Sequence, residues 1–284
     1  MAAQLMPGQP VADAVLADVS ERVAKLKAKG ITPGLGTILV GDDAPSAGYV
    51  RRKHETCETV GIKGFHAHVG ASEGQQALLA VVDDMNNNPE IDGYIIQHPV
   101  PEGFDLNEAL MRMDPAKDAD GLHPASLGRL VLQEKGPVPA TPAGIKAMLI
   151  HYNIPTAGRH VVVVGRGPTL GRPLALLMAN RGAGGDAAVT VVHSKVDDLG
   201  HYTRQADILI GAVGVPELIT PDMVKPGAVV ISGGITWEGR VLRPDVAESV
   251  EDVASWITPR LGGVGPTTVA MLLRNTVEAA ELRP

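Results

Sequence analysis

The sequence has few of the features that mark several protein classes. Its single cysteine, Cys57, cannot form an internal disulfide, which excludes a disulfide-stapled scaffold. No apolar run approaches the roughly 18 residues of a membrane helix, and the start MAAQLMPGQP lacks the basic head and apolar stretch of a signal peptide. The formal net charge of −7 has the wrong sign for binding a nucleic acid backbone. We therefore expect a cytoplasmic protein with neither nucleic acid nor a membrane as partner.

Aromatic residues are also scarce, at 3 % of the chain against 44 % for all hydrophobic residues, so the core must be aliphatic. A length of 284 residues predicts roughly two domains. The 33 glycines and 22 prolines fall between apolar segments, as loops do between alternating strands and helices.

The first half of the chain alternates between helical and strand periodicity. The predicted order is a helix over 10–29, a strand over 35–40, a helix from Ser46 to 60, a strand over 64–69, a helix from Ser72 to 86 and a strand over 93–97. Strands separated by helices normally lie parallel in one sheet, so this half is expected to be an open α/β domain. Residues 111–142 are interpreted as loop and linker.

The second half has the order of a dinucleotide-binding fold. The predicted elements are a helix from Thr141 to 152, a strand from 160, a helix over 171–180, strands over 188–192, 208–212 and 228–231, and a last helix over 266–282 that no strand follows. The fold class is therefore α/β, with two open α/β domains and a cleft between them. Residues 1–140 plus 266–284 form the first domain, and residues 141–265 form a Rossmann-type domain.

A glycine-rich turn follows the predicted strand at 160. The segment VVVVGRGPTLGRP places Gly165, Gly167 and Gly171 between a strand and the start of a helix. Glycines there let a pyrophosphate approach the backbone, and the helix N-terminus supplies free N–H donors. The spacing is one residue longer than the usual fingerprint, so a simple tight turn remains the alternative.

The end of the next strand indicates which dinucleotide binds. An NAD site normally has a carboxylate there, whereas this chain has His193, Ser194 and Lys195. Arg166 with Ser194 would suit a 2′-phosphate, because a guanidinium pairs well with phosphate oxygens. The pattern favours NADP over NAD, unless Arg166 and Lys195 are ordinary surface charges.

Three features of the first domain meet at the carboxyl ends of its strands. Tyr49 and Lys53 are four apart on a helix, Gln97 ends a strand, and the loop KDADG contains Asp120. A partly dry lysine can exchange protons near neutral pH, a tyrosine can stack on a heteroaromatic ring, and an aspartate can accept ring N–H groups. Taken singly, each residue also has an ordinary structural explanation.

Other chemistries have little support. His66 and His68 share a strand face but have no third ligand nearby, and Asp118 with Asp120 makes only a fragment of a metal site. Cys57 lies within a helix, and no GxSxG elbow occurs. We predict neither a metal site nor a serine or cysteine nucleophile.

Together these segments resemble the bifunctional methylenetetrahydrofolate dehydrogenase and methenyltetrahydrofolate cyclohydrolase family. The resemblance runs nearly end to end, through TPGLGTILVGDDAPSAGYVRRK, GYIIQHPVP, DPAKDADGLHP, ATPAGI, VVVVGRGPTLGRP, AAVTVVHSK, ADILIGAVGVPELI, VKPGAVVI and LGGVGPTTVAMLLRNT. It implies NADP-dependent oxidation of 5,10-methylenetetrahydrofolate, followed by hydrolysis of the methenyl product to 10-formyltetrahydrofolate. It also implies a homodimer.

The resemblance assigns roles to individual positions. It implies that Lys53, Gln97 and Asp120 are catalytic, with Tyr49 stacked on the pterin and Asp120 on its nitrogens. GGVGP, with Gly262, Gly263 and Pro266, would form part of the folate cleft. The residues implied to bind NADP are Gly165, Arg166, Gly167, Gly171, Ser194, Gly214 and Ile235.

The chain departs from the family's pattern at several positions. The usual QLPLP is QHPVP, with His98 after Gln97, and VIDVGI is VISGGI, with Ser232 for Asp. The common GDV is absent from GRVLRPDV around Val241, TPVPGG is TPRLGG with Arg260 and Leu261, and Ala140 replaces the Cys of PCTP. These departures leave two alternatives open. The chain could keep only one activity or act on a modified folate, or it could bind NADP without catalysis.

Overall fold

A computed structural model describes residues 2–239 and 241–283. These divide into two compact units: residues 13–140 with 269–283, here called the three-stranded unit, and residues 2–12 with 141–239 and 241–268, here called the six-stranded unit. The helices are α1 (Gln9–Ala28), α2 (Ala44–Val60), α3 (Gly74–Asn87), α4 (Leu106–Arg112), α5 (Pro124–Leu132), α6 (Ala140–His151), α7 (Gly171–Ala179), α8 (Leu199–Thr203) and α9 (Val264–Ala280). The strands are β1 (Gln4–Leu5), β2 (Gly34–Val40), β3 (Lys63–Val69), β4 (Gly93–Ile96), β5 (His160–Val164), β6 (Ala188–Val192), β7 (Ile208–Gly211), β8 (Val229–Ser232), β9 (Ile235–Glu238), β10 (Val241–Pro244) and β11 (Trp256–Ile257).

The three-stranded unit contains a parallel sheet in the order β3-β2-β4. The central strand β2 is buried at every position, as expected for an apolar run covered on both faces. Helices α2 and α3 connect the strands, so the predicted alternation of strands and helices is confirmed. The helix predicted to begin at Ser46 begins at Ala44, because the Asp43 side chain accepts the N–H of Ser46 and caps it. It ends, as predicted, at Gly61, whose φ is 83°.

The interpretation of residues 111–142 as loop and linker was wrong. This region contains the end of α4, a 3-10 turn over Pro115–Lys117, the helix α5 and the start of α6. The α5 helix starts where Nδ1 of His123 accepts the N–H of Ala125, with Pro124 in the first turn, and it ends at Gln133 with a φ of 58°. A nine-residue helix is too short to reveal its periodicity in the sequence, and its capping histidine is not a common cap.

The six-stranded unit contains a fully parallel sheet in the order β1-β11-β8-β7-β5-β6. Aliphatic clusters cover both faces of this sheet, including Val161 and Val163 on one side and Val162 and Val164 on the other. The predicted Rossmann-type strands β5, β6, β7 and β8 are confirmed. The chain start, predicted to belong to the first domain, lies in this unit because β1 pairs with β11.

Three strand pairings in this unit escaped prediction. The two-residue strands β1 and β11 are too short to show an alternating pattern, and the antiparallel hairpin of β9 and β10 was missed. The last helix begins at Val264 rather than Pro266, and its residues from 269 to 280 belong to the three-stranded unit. There, Nδ2 of Asn275 donates to the carbonyls of Ala119 and Val138, each at 2.9 Å.

Candidate functional site

A buried lysine and a buried amide meet at the carboxyl edge of the three-stranded sheet. Lys53 projects from α2, and Gln97 directly follows β4. Nζ of Lys53 donates to Oε1 of Gln97 at 2.8 Å, and each residue is only 8 % exposed. Nε2 of Gln97 donates to the backbone carbonyl of His98 at 2.6 Å. That second bond fixes the orientation of the amide, so its oxygen faces the lysine.

The surroundings of Lys53 make its amine a usable acid and base. Burial lowers the pKa of Lys53 to about 8, while the negative charge of Asp120 opposes this shift. At pH 7 about one tenth of such a lysine is neutral, against far less for a solvated one. Cys57, one turn further along α2, is buried, and burial raises its pKa to about 12, so it is a neutral neighbour.

Asp120 belongs to the same electrostatic group. Burial raises the pKa of Asp120, and the neighbouring Lys53 and His98 oppose that shift. Burial lowers the pKa of His98, so its ring carries no charge near neutral pH. The Asp120 side chain is half-buried, and its carboxylate accepts no hydrogen bond from residues 2–239 and 241–283. A carboxylate in this state is available to bind the N–H groups of a ligand.

The rest of the KDADG loop serves structure and not chemistry. The buried carboxylate of Asp118 accepts the N–H groups of Gly121, Leu122 and His123 at 2.8–3.1 Å. Lys117 donates to three carbonyls at the end of α3. Asp118 is therefore a positioning residue. The sequence did not distinguish it from Asp120, because only the fold shows that the Asp118 carboxylate is buried against backbone N–H groups.

Tyr49 lies one turn before Lys53 on α2 and is half-buried. Residues four apart on a helix share a face, so its ring lies on the same side of α2 as the lysine. The three-stranded unit thus brings together Tyr49, Lys53, Gln97 and Asp120, while their chemical roles remain proposals.

The predicted glycine turn follows β5 in the six-stranded unit. Gly165 has a φ of 124°, and a Cβ there would overlap the carbonyl oxygen of Ala212. A Cβ on Gly171 would overlap the carbonyl of Gly165, whereas Gly167 faces open space. No side chain in the described part of the chain caps the start of α7. The N–H of Arg172 donates to the Gly167 carbonyl at 3.1 Å. The open space at Gly167 and the helix start without a side-chain cap are features of a pyrophosphate site.

The residues expected to select the 2′-phosphate are exposed beside this turn. Arg166 lies within it, and Ser194 and Lys195 follow β6, all with solvent-accessible side chains. The nearest acids after β6 are Asp197 and Asp198, and Asp198 instead caps α8 by accepting the N–H of His201 at 3.1 Å. The donor set fits an NADP phosphate.

Gly214 and Ile235 lie beyond the neighbouring strands β7 and β8. Gly214 has a φ of 68°, and Thr236 donates from its hydroxyl to the Gly214 carbonyl at 2.5 Å. Ile235 begins β9 with 41 % of its side chain exposed. An exposed aliphatic residue at a strand end is available to contact a ring.

The segment GGVGP lies in the six-stranded unit at the start of α9. Gly262 has a φ of 73° and its carbonyl accepts the N–H of Gly8 at 2.7 Å, while Gly263 is buried and Pro266 lies in the first turn of the helix. The contribution of these three residues to folate binding stays a prediction.

Several departures from the family pattern have local structural explanations. Arg260 pairs with Glu248 at 2.8 Å, and the hydroxyl of Ser232 donates to the Gly234 carbonyl at 3.4 Å. Ala140 is buried at the start of α6. Leu261 and Val241 are exposed, and nothing in the structure explains these two residues.

Residues 2–239 and 241–283 contain no group of three or more His, Cys, Asp or Glu side chains arranged to hold a metal ion. The imidazoles of His54 and His66 instead share the Thr37 hydroxyl, at 2.9 and 3.2 Å. None of the described helices has the length and hydropathy to cross a membrane.

Comparison with known proteins confirms the resemblance. The family models of the tetrahydrofolate dehydrogenase/cyclohydrolase catalytic domain and NAD(P)-binding domain match residues 6–120 and 139–283. The Bifunctional protein FolD of Syntrophotalea carbinolica is 66 % identical over 283 residues, which cover 100 % of this chain and 98 % of that protein.

Solved structures agree with these matches. The bifunctional enzyme FolD, a methylenetetrahydrofolate dehydrogenase/cyclohydrolase from Campylobacter jejuni, has a TM-score of 0.93 and 38 % identity, with 100 % of both chains covered. The methylenetetrahydrofolate dehydrogenase-cyclohydrolase of Trypanosoma brucei, complexed with NADP cofactor and inhibitor, has a TM-score of 0.92 and 36 % identity over 99 % of this chain and 98 % of that one. The chain belongs to the tetrahydrofolate dehydrogenase/cyclohydrolase family.

Proposed function

We propose that this chain oxidises 5,10-methylenetetrahydrofolate with NADP and then hydrolyses the 5,10-methenyl product to 10-formyltetrahydrofolate. The observation that carries the proposal is the buried hydrogen bond from Lys53 to Gln97, in a site with a lowered lysine pKa and a free carboxylate. Membership of the family supplies the substrate class.

The six-stranded unit supplies the cofactor site. Gly165, Gly167 and Gly171 would hold the pyrophosphate at the start of α7, and Arg166 with Ser194 would hold the 2′-phosphate. When bound, NADP accepts the hydride that leaves the methylene carbon of the folate. The protein's part in that step is to orient the reacting groups, because near-attack geometry supplies much of a barrier reduction.

Lys53 acts in the hydrolysis. Its neutral amine accepts a proton from the water that attacks the methenyl carbon, which leaves a hydroxyl on that carbon. The resulting ammonium donates its proton to the ring nitrogen as the C–N bond breaks, and the hydroxyl releases its proton to solvent as the formyl C=O forms. The hydrogen bond to Gln97 holds Nζ in place during both transfers. A lysine with a pKa of about 8 can either gain or lose a proton near neutral pH.

Asp120 and Tyr49 bind the substrate. The Asp120 carboxylate accepts hydrogen bonds from the amino and ring N–H groups of the pterin, and its charge also stabilises the ammonium form of Lys53. Tyr49 provides a flat face for stacking. These residues orient the folate so that its one-carbon bridge lies at the lysine.

We also propose a cytoplasmic homodimer. Ile235 and Trp237 share one face of the β9–β10 hairpin and each exposes 41 % of its side chain, and such apolar residues on an antiparallel ribbon are typical of an interface between copies. Equilibrium sedimentation should give twice the chain mass, and the protein should appear in the cytosolic fraction of its cells. A monomer at micromolar concentration would contradict the proposed homodimer.

A paired assay tests the function. Pure protein with methylenetetrahydrofolate should reduce NADP faster than NAD, read as NADPH absorbance, and should speed the decay of the methenyl compound. If one half-reaction is missing, the chain has a single activity. If NADP binds by calorimetry while neither reaction occurs, the chain is a binding protein and the proposal is wrong.

A further inference from the structure

A fully buried aspartate lies behind the cofactor edge of the six-stranded sheet. Asp245 directly follows β10 and is 0 % exposed. It belongs to the segment GRVLRPDV, which lacks the GDV common in the family. Its Oδ2 accepts the N–H of Val213 at 2.8 Å, and its Oδ1 accepts the N–H of Val215 at 3.1 Å. Burial raises the pKa of Asp245, and the surrounding backbone N–H groups, including that of Gly234, lower it. The carboxylate thus holds the loop after β7, while the backbone N–H of Asp245 donates to the Gly234 carbonyl at 3.2 Å, so this residue joins two separate segments.

Two glycines make room for this carboxylate. A Cβ on Gly234 would overlap both Asp245 carboxylate oxygens, and a Cβ on Gly211 would lie 2.9 Å from the Cβ of Asp245. Both glycines lie at the carboxyl ends of strands, Gly211 in β7 and Gly234 just after β8. The two glycines therefore leave a recess that fits a side chain of the size of aspartate.

The segments that Asp245 holds lie where the nicotinamide half of a dinucleotide is expected. The sheet order in this part is β6-β5-β7-β8. If the 2′-phosphate lies beyond β6 and the pyrophosphate beyond β5, the rest of the cofactor extends over the ends of β7 and β8. The Asp245 carboxylate accepts N–H groups on both sides of Gly214, and the backbone N–H of Asp245 donates at 3.2 Å to the carbonyl of Gly234, the residue immediately before Ile235.

The loop after β7 also contacts the phosphate-binding turn. Gly165 packs so closely on the carbonyl of Ala212 that no side chain would fit between them. A shift of the loop would therefore move the turn or leave a gap beside it. Burial of a carboxylate costs free energy unless hydrogen bonds compensate it. Here the Asp245 carboxylate accepts N–H groups that would otherwise lack partners.

We propose that Asp245 is a positioning residue for the nicotinamide half of NADP. It holds the backbone of residues 213–215 and of Gly234 so that Gly214 and Ile235 present one fixed surface to the ring. The proposal rests on the proposed function for the identity of the dinucleotide. Asp245 itself is enclosed and touches no cofactor.

The test compares two ligands with the Asp245→Asn variant. Asparagine keeps the shape but points N–H donors at backbone N–H donors, so the loop should lose its anchor. We expect the Kd for NADPH to rise by about tenfold or more. The Kd for adenosine 2′,5′-bisphosphate, which lacks the nicotinamide, should change by less than about twofold. Asp252→Asn, an exposed aspartate of the same unit, should leave both values unchanged.

A second variant approaches the same contact from the other side. Gly234→Ala keeps the charge of Asp245 but places a methyl group against its carboxylate, and it should give the same selective loss of NADPH binding. Circular dichroism and the thermal midpoint report whether each variant is folded. An equal loss for both ligands, no loss for either, or unfolding of both variants would assign Asp245 to the fold alone and overturn the proposal.

Because NADPH binding is measured without turnover, the two proposals fail separately. A wild-type protein that binds NADPH but forms none from methylenetetrahydrofolate would contradict the proposed function only. An active wild-type protein with unchanged NADPH binding in Asp245→Asn would contradict only the positioning role.

Discussion

Nζ of Lys53 lies 2.8 Å from Oε1 of Gln97, and the amide is held in turn by the carbonyl of His98. Because Nζ donates one hydrogen to Gln97, the lone pair of the neutral amine points away from that oxygen. Burial keeps the amine partly neutral at physiological pH. This geometry supports the proposed role of Lys53 as the proton-transfer group.

The rate of methenyl hydrolysis should follow the ionisation of Lys53. The neutral amine accepts the proton of the attacking water, so the rate should rise with pH and level off above the pKa of about 8. Initial rates from pH 6 to pH 9.5, corrected for the uncatalysed reaction, give the profile. A flat profile, or one that falls through this range, would contradict the role of the amine as the base.

Asp120→Asn should move that profile to lower pH. The carboxylate stabilises the ammonium form of Lys53, so its removal makes deprotonation easier and lowers the lysine pKa below about 8. The variant should also bind substrate more weakly, because it loses acceptors for the pterin. An unshifted midpoint would show that the two charges do not interact, and Asp84→Asn, exposed on α3, is the matched control.

Arg166→Ala should reduce the preference for NADP. Loss of a guanidinium paired with the 2′-phosphate should raise the KM for NADP by about tenfold and leave the KM for NAD nearly unchanged. Arg159→Ala removes an equal charge just before the amino end of β5 and serves as the control. Equal changes in both KM values would mean that Arg166 does not contact the 2′-phosphate.

Asp118→Ala should destabilise the protein and misplace Asp120. Three backbone N–H groups lose their acceptor, so the free energy of unfolding should fall by about 3 kcal/mol. Urea titration measures the change, with Asp84→Ala as a surface control. A loss below about 0.5 kcal/mol would show that the loop keeps its conformation without Asp118.

Much of the fold could be predicted from the sequence because the buried strands are long apolar runs between helices. Strand β2 and the valines of β5 can be predicted as strands from their own residues, without knowledge of the neighbouring strands. The sequence also predicted that Lys53, on a helix, and Gln97, at a strand end, lie at the same edge of the sheet, and the structure joins them by a hydrogen bond.

The remaining features depend on contacts that no local pattern contains. Helix α5 depends on a histidine cap, and β1 is a strand only because β11 lies beside it. The division of roles between Asp118 and Asp120, like the burial of Asp245, follows from which backbone N–H groups the fold brings near each carboxylate.

The most direct test of the account is the hydrolysis of methenyltetrahydrofolate by Lys53→Met, with Lys63→Met on the exposed strand β3 as control. We expect the first variant to lose on the order of 10²- to 10⁴-fold in kcat while it stays folded, and the second to keep wild-type rates. A Lys53→Met enzyme that hydrolyses the methenyl compound at the wild-type rate would contradict the central claim.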